Sequence, residues 1–434
     1  MKISMDKTIR AMSVALDLAQ ASSEYDNLGS NPVIEDVTNV NYSKHRFMHH
    51  SLRTTYIALE ISNYLNLDEK SKKQLYISSL LHDIGAANCL GKSHSADLFI
   101  KAHCETGTNI TRAFPHFYNL SNIILYHHEN FDGSGPMLLK KDNIPIESQI
   151  IRISDLVELL YDEKISNFSQ RADIIKWVKN NCNKIFSETI VNAFLKNASR
   201  DTFWLNIENI SFAEFILDKI QPKLNIFMDI KEFEQISKIF ANIIDNKSKF
   251  TAIHSKGIAN LAYTVSKFIG YGDEKCCEMK IAGLLHDIGK LAIPLRILDK
   301  NGSLTSQEFG IIKSHAYYTK IILDKIGDIP NISEWASNHH EKLNGQGYPR
   351  GLNANDLSEE SRIMAVCDIY QALTENRPYR KSLNTESVFK MMDEMVSGGF
   401  ICGMALKHLK ETIFSLNLNS YDQYIAVADN HTII

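Results

Sequence analysis

The sequence predicts an all-α protein built from two tandem helical modules, and three observations carry that expectation. Apolar residues recur at helical spacing along most of the chain. Glycine and proline are few, 20 and 9 in 434 residues, and they gather in short connectors. One ordered set of histidines and aspartates occurs twice.

The repeat is read by subtraction. His50 and His254 stand 204 residues apart, as do His82 and His286, and Asp83 and Asp287. His103 and His315 stand 212 apart, as do His127 and His339, and His128 and His340, while Asp155 and Asp368 stand 213 apart. The two slips in offset fall where connectors should lie, and connectors tolerate insertion far better than helices do. The chain therefore divides into modules 1–225 and 226–434, each of ordinary domain size.

Taken in order, residues 1–20 scatter charges among apolar positions and read as an amphipathic helix, not a secretory signal. Tyr56, Ile57, Leu59, Glu60, Ile61 and Tyr64 follow His50 at helical spacing, and Ile258, Leu261, Ala262, Val265 and Ile269 follow His254 in the same way. Asp132-Gly133-Ser134-Gly135-Pro136 and Asn344-Gly345-Gln346-Gly347-Tyr348-Pro349 read as connectors. The amphipathic runs between 161 and 250 are expected to finish the first module and continue as helix into the second, a stiff junction.

Composition bounds the function. With 44% hydrophobic and 23% charged residues and a net charge of −4, the chain reads as a soluble globular protein without a basic nucleic-acid surface. No apolar run approaches the roughly 20 residues that span a bilayer. Seven cysteines without a Cys-x-x-Cys spacing suggest reduced thiols and a cytoplasmic location, and the vicinal Cys276-Cys277 reads as helix packing. Neither a nucleic-acid polymer nor a membrane is expected as partner; a homodimer is compatible with the sequence.

The two pairs His82-Asp83 and His286-Asp287 stand between Leu and Ile, where burying an imidazole beside a carboxylate demands a compensating partner. In the second module His254, His286, Asp287, His315, His339, His340 and Asp368 form a nitrogen and oxygen donor set suited to Fe, Mn, Zn or Co; an all-oxygen set would suit Mg or Ca. Seven such groups are too many for one ion and suit two ions that share a carboxylate. A lone histidine on a helix is ordinarily a packed or surface residue, but the adjacent His339-His340, followed by Glu341, and the doubled ordered set argue otherwise. Two ions about 3.5–4 Å apart suit in-line hydrolysis at phosphorus. Lys290 follows Asp287 by three residues and lies on its face if the helix continues. Arg377 and Arg380 bracket Pro378-Tyr379 and could fork onto phosphate oxygens; Arg350 reads equally well as a surface charge. Tyr348 could stack on a base, or its loop could be a plain turn.

His286-Asp287, Lys290, His339-His340-Glu341, Gly347-Tyr348-Pro349, Asp368 and Arg377-Pro378-Tyr379-Arg380, together with the connector Ile297–Thr305, resemble the HD-GYP family of HD-domain metal-dependent phosphohydrolases over most of 250–415. The resemblance implies two HD-type helical domains and a di- or trinuclear centre, commonly Fe or Mn, with Zn, Co or Ni as further options. It implies hydrolysis of cyclic di-GMP to linear pGpG or onward to GMP; some members prefer cyclic GMP-AMP. Asp287 would bridge two ions, with His254, His286 and Asp368 completing one and His315, His339 and His340 the other. Asp287 and Lys290 would be the catalytic residues. Lys290, Tyr348, Arg377 and Arg380 would contact substrate, Lys290 at the scissile phosphate, Arg377 at a phosphate and Tyr348 at a guanine or the site lip. Three-ion members carry Glu where this chain has Phe250, so two ions are expected.

The first module keeps His50, His82, Asp83, His103, His127, His128 and Asp155 as a second metal set. It has Ala86 in place of Lys290, Gly135-Pro136 without a tyrosine, and no Arg-Pro-Tyr-Arg run. It reads as a metal-stabilised regulatory or dimerisation domain, or else as a weaker hydrolase site. For the whole chain the competing readings are a cyclic GMP-AMP phosphodiesterase, a mononucleotide nucleotidase, and a non-catalytic cyclic-dinucleotide-binding signalling protein.

Overall fold

A computed structural model describes residues 1–24, 38, 48–86, 96–117, 119–248, 254–375 and 381–416. Arg377, Arg380 and Phe250 lie outside these residues. Nearly every described element is a helix; the only sheet among the described residues is the antiparallel pair Ile3–Ser4 with Phe227–Met228.

The chain forms two compact units. One is Met12–Ile226, and the other joins Met1–Ala11 to the described residues from Phe227 onward. The strand pairing, with Ile3 opposite Met228, belongs to the second unit, as does the contact of Lys7 with Asp328.

Each unit runs through the same helices in the same order. In the first they are the later part of Met5–Glu24, then His50–Ser62, Glu69–Leu81, Ala96–Thr111, Leu120–Leu125 and Ile146–Leu160. In the second they are Ile230–Lys247, His254–Phe268, Asp273–Leu285, Ser306–Asp324, Pro330–Ser337 and Glu359–Thr374. Local sequence explains where several begin. Asp229 with Glu232, and Thr305 with Glu308, form reciprocal capping boxes; Asp68 and Ser358 cap their helices by accepting from Ser71 and Ser361 backbone N–H groups. Ile258, Leu261, Ala262 and Val265 are buried, as the spacing predicts.

The junction differs from expectation. The helix Ala213–Ile220 ends before Gln221-Pro222, and residues 221–226 are non-helical ahead of Phe227–Met228. Pro222 explains this: the residue before a proline is pushed out of the helical region, and Gln221 is extended at ψ 147°.

Two glycines set the packing that builds the second unit's site. A Cβ on Gly283 would lie 2.6 Å from the Ala259 Cα, so the helices His254–Phe268 and Asp273–Leu285 cross at backbone contact. A Cβ on Gly289 would lie 1.9 Å from the His315 carbonyl oxygen, so only glycine lets the helix Ser306–Asp324 come down on the segment after His286-Asp287. Gly85 has the same relation to His103 in the first unit, at 2.1 Å.

Candidate metal centres

In the second unit five segments deliver seven side chains to one buried point: a helix start at His254, the turns at His286-Asp287 and His339-His340, and the middles of the helices Ser306–Asp324 and Glu359–Thr374 at His315 and Asp368. The helix Asp273–Leu285 stops just before His286, and Ile288–Ala292 continues as a 3-10 helix. The helical continuation expected from sequence is thus replaced by a tighter turn. With three residues per turn, that turn still stacks Lys290 over Asp287, and the ammonium Nζ lies 2.5 Å from Asp287 Oδ2.

Asp287 is central. Its Oδ2 lies 3.1 Å from His286 Nε2 and 3.9 Å from His254 Nε2, while Oδ1 lies 3.4 Å from His315 Nε2 and 3.9 Å from His339 Nε2. Asp368 lies 3.5 Å from His254 Nε2 and 3.9 Å from His340 Nδ1. The donor atoms form two clusters, His254–His286–Asp287 and His315–His339–His340, each within 4.8 Å. Asp287 groups with the first cluster, and Asp368 stands between the two, near His254 on one side and His340 on the other.

Several histidines are aimed by a second contact. The Nδ1 of His286, His315 and His339 bonds the carbonyl three residues earlier, at Gly283, Ile312 and Ala336. That hydrogen bond fixes Nδ1 as the donor and leaves each Nε2 lone pair facing the centre. His254 Nδ1 instead meets Glu375 Oε2 at 3.1 Å, and Gln371 steadies Glu375 from one turn earlier.

The electrostatics suit ligand duty at Asp287, His315 and His340, whereas His254 must give up a proton before it can ligate. Burial works against charge on Asp287, but His286 and Lys290 hold its carboxyl well below the ordinary range. Burial pushes His315 down to about 3 and His340 to about 4, so both are neutral at neutral pH with lone pairs to give. Against the pull of burial, hydrogen bonds to Asp368 and Glu375 raise His254 to about 9. His286 Nε2 and Asp287 Oδ1 are buried with no protein hydrogen-bond partner. Orphan acceptors of this kind cost about 1–3 kcal/mol each unless a cation meets them. The residues present therefore fit divalent metal ions.

A cavity of about 460 Å³ opens on this centre, within the roughly 300–1,000 Å³ of small-molecule sites. His254, Asp287, His315, His340 and Asp368 form part of its wall, Lys247, Lys290, Lys300 and Tyr348 add three cations and a phenol, and residues such as Ile244 and Leu304 make the rest largely apolar. The Tyr348 ring packs 4.8 Å from the His340 ring, and its N–H donates to the His340 carbonyl. Glu341 secures that loop by accepting from the Arg350 and Leu352 N–H groups. Arg350 itself turns to Glu334, at 2.8 Å, and takes no part in the cavity wall, so its surface-charge reading holds.

The first unit also brings its seven residues together, but its central aspartate groups with the other cluster. His50 Nε2 lies 3.3 Å from Asp83 Oδ2 and 3.5 Å from Asp155, and His103 Nε2 lies 3.3 Å from Asp83 Oδ1. The clusters are His50–His82–Asp155 and Asp83–His103–His127–His128. Here the His50 Nδ1 partner is Glu158, at 2.6 Å, itself paired with Arg53. Glu129 accepts from the Met137 and Leu139 N–H groups as Glu341 does from its loop, but Gly135-Pro136 stands where the second unit has Gly347-Tyr348-Pro349, with no residue in the place of the tyrosine.

Sequence reading missed Lys247, Lys300, Glu375, Glu158, Arg152 and Gln20. It also missed the matched tethers Asp17–Ser51 and Asp245–Ser255, each 2.6–2.7 Å between carboxylate and hydroxyl. The tethers carried a signal: Asp17 and Asp245 extend the repeat at an offset of 228, hidden by a longer connector before His50.

A profile of the HD domain matches residues 35–175 and again 238–398. The chain belongs to the HD-domain family. Both HD segments contain a His-Asp pair seated in the geometry above, so the family match and the repeat describe one duplication. Among relatives, the 3'3'-cGAMP-specific phosphodiesterase 1 of Vibrio cholerae is 28% identical over 89% of this HD-domain chain and 90% of its own length. The 3'3'-cGAMP-specific phosphodiesterase 3 of that organism is 27% identical over 70% of the chain, which spans 65% of it. A cyclic di-GMP phosphodiesterase of Pseudomonas aeruginosa is 36% identical over 35% of the chain and 37% of its own length. The crystal structure of a cyclic GMP-AMP-specific phosphodiesterase of V. cholerae superposes with a TM-score of 0.65 at 20% identity, covering 95% of this chain and 98% of that one. That likeness establishes the helical tandem fold.

Proposed function

We propose that this chain is a metal-dependent phosphodiesterase of cyclic dinucleotides and that its second unit carries the chemistry. The observation that supports this best is the buried Asp287 between two histidine clusters, opening on a cavity walled by Lys247, Lys290 and Lys300. His254, His286 and Asp368 would hold one divalent ion, His315, His339 and His340 a second, and Asp287 both. Held there, the ions would supply Lewis acidity toward phosphoryl oxygens and a water-derived nucleophile at neutral pH.

The chain's own residues do the rest. Asp287, kept anionic, offsets the positive charge at the centre, and the hydrogen bonds at Nδ1 keep the imidazoles in the ligating tautomer. Lys290 stands beside Asp287, so its ammonium meets a phosphoryl oxygen presented to the centre and stabilises the charge that builds there. Tyr348 offers a ring at the cavity wall for a base to pack against. Arg377 and Arg380 keep the phosphate-contact role that the family resemblance implies.

Both cyclic di-GMP and 3'3'-cGAMP suit such a site. The matches that run through both units are to 3'3'-cGAMP-specific enzymes, at 89% and 70% of the chain, against 35% for the cyclic di-GMP relative, which supports 3'3'-cGAMP as the preferred substrate. Protein loaded with Mn(II) or Fe(II) is assayed against 3'3'-cGAMP, cyclic di-GMP and dGTP, with metal content measured on the same sample. A linear dinucleotide from 3'3'-cGAMP at the highest kcat/KM is expected, with turnover lost in Asp287→Ala. Binding without product would make the chain a receptor, and faster dGTP hydrolysis would make it a nucleotidase.

A further inference from the structure

The two units share a ligand frame but differ in what stands against it. In the first unit Arg152 is 1% exposed, and its Nη1 lies 2.9 Å from His128 Nδ1. Its Nε and Nη2 both reach Asn130 Oδ1 at 3.2 Å, which holds the guanidinium plane in place. A guanidinium only donates, so His128 Nδ1 must accept, and its lone pair is committed to Arg152. The corresponding residue in the second unit, one turn before Asp368 as Arg152 is before Asp155, is Ala365. There the His340 Nδ1 faces Asp368 Oδ2 at 3.9 Å.

The bridging carboxylate is altered too. Asp83 Oδ2 accepts from Gln20 Nε2 at 2.6 Å, where Asp287 Oδ2 meets Lys290. The other half is intact: His50, His82 and Asp155 cluster, and Glu158 orients His50 as Glu375 orients His254.

We propose that the first unit is a one-ion site. His50, His82, Asp83 and Asp155 hold a single divalent cation, and Arg152, acting through His128, takes the place of the second. Asp83, His103, His127 and His128 do converge within 4.8 Å, so convergence alone would admit another ion. A fixed guanidinium against that cluster decides the matter: at this range like charges weaken binding of a divalent ion by about two orders of magnitude or more. This inference concerns ion stoichiometry in the first unit and stands independently of the activity assigned to the second.

The test is a metal count on the full chain after loading with Mn(II) and desalting, with circular dichroism to establish folding. Asp83→Ala should lower the count by one ion, and His127→Ala should leave it unchanged. Arg152→Ala, which installs the side chain found at Ala365, should raise it by one, whereas Arg152→Lys should not. A loss of two ions in Asp83→Ala, a loss of one in His127→Ala, or no gain in folded Arg152→Ala would overturn the proposal. Should Arg152→Ala fail to fold, electron paramagnetic resonance of the Asp287→Ala/His315→Ala chain decides. An isolated six-line Mn(II) spectrum is expected, and an exchange-coupled pair would refute the one-ion site.

Discussion

Lys290 and Ala86 stand three residues after Asp287 and Asp83, so one site has an ammonium beside its aspartate and the other has a methyl group. Lys290→Ala removes a charge-assisted contact worth about 1.5–3 kcal/mol, so kcat/KM should fall roughly 10- to 150-fold. Metal content, measured on the same variant, should be unchanged; a parallel loss of metal would make Lys290 a structural support of Asp287. The histidines also set a pH signature in the metal-free protein. His315 and His340 have folded values of about 3 and 4, below the ordinary 6.5, so the unfolded chain takes up protons first. The stability they supply is present above pH 6.5 and is lost as pH falls. His254, raised to about 9, acts in the opposite sense: its contribution is complete below 6.5 and is lost as pH rises through 9. The melting temperature of the chelated protein should therefore be highest near neutrality and lower at both pH 5 and pH 9.5. A melting temperature still climbing from pH 7 to 9.5 would contradict the assignment for His254.

Helices in this protein are positioned by what their crossings omit. Gly289 has no room for a methyl group, because the His315 carbonyl would lie 1.9 Å from it. Gly289→Ala must push the helix Ser306–Asp324 outward and carry His315 away from Asp287. Overpacking of this kind costs about 1–3 kcal/mol. The expected outcome is a lower melting temperature together with loss of ions from the second unit; an alanine variant with full metal content would show that the helix can yield without moving its ligand. The 3-10 turn Ile288–Ala292 makes a related point. Residue spacing suggested one face for Asp287 and Lys290, and the spacing was right although the helix type was not, because residues three apart stack more closely in a 3-10 helix than in an α-helix.

At the scale of the whole molecule, metal and folding should be coupled, because ions that bind only the folded chain stabilise it by mass action. Chelation should lower the melting temperature, and Mn(II) at about 100 times its Kd should restore about 2.7 kcal/mol per site. Asp287→Ala should abolish the part of that rise owed to the second unit. An unchanged melting curve on chelation would mean that the clusters hold no ion in the folded protein. No helix of the described residues is long and apolar enough to cross a membrane, in line with the hydropathy of the sequence.

The sequence by itself determined the all-helical class, the duplication and the fourteen ligand-type residues of the two sets, because ligand chemistry demands particular side chains in a particular order and helices impose a readable period. It also exposed the loss of Lys290 and Tyr348 equivalents in the first copy. Tertiary structure alone decided the rest. Met1–Ala11 cluster with the second unit through a strand pairing 225 residues distant in the chain, from Ile3 to Met228. Arg350 faces Glu334 and leaves the cavity wall to Lys247, which no motif distinguishes from a surface lysine, and to Lys300, which the connector 297–305 contains without marking its role. Arg152 turns inward, where Asn130 and His128 both accept from its guanidinium. Spacing along a chain records which side chains share a helix face, whereas charge, orphaned lone pairs and blocked ones are set between helices, and those relations exist only once the chain has folded.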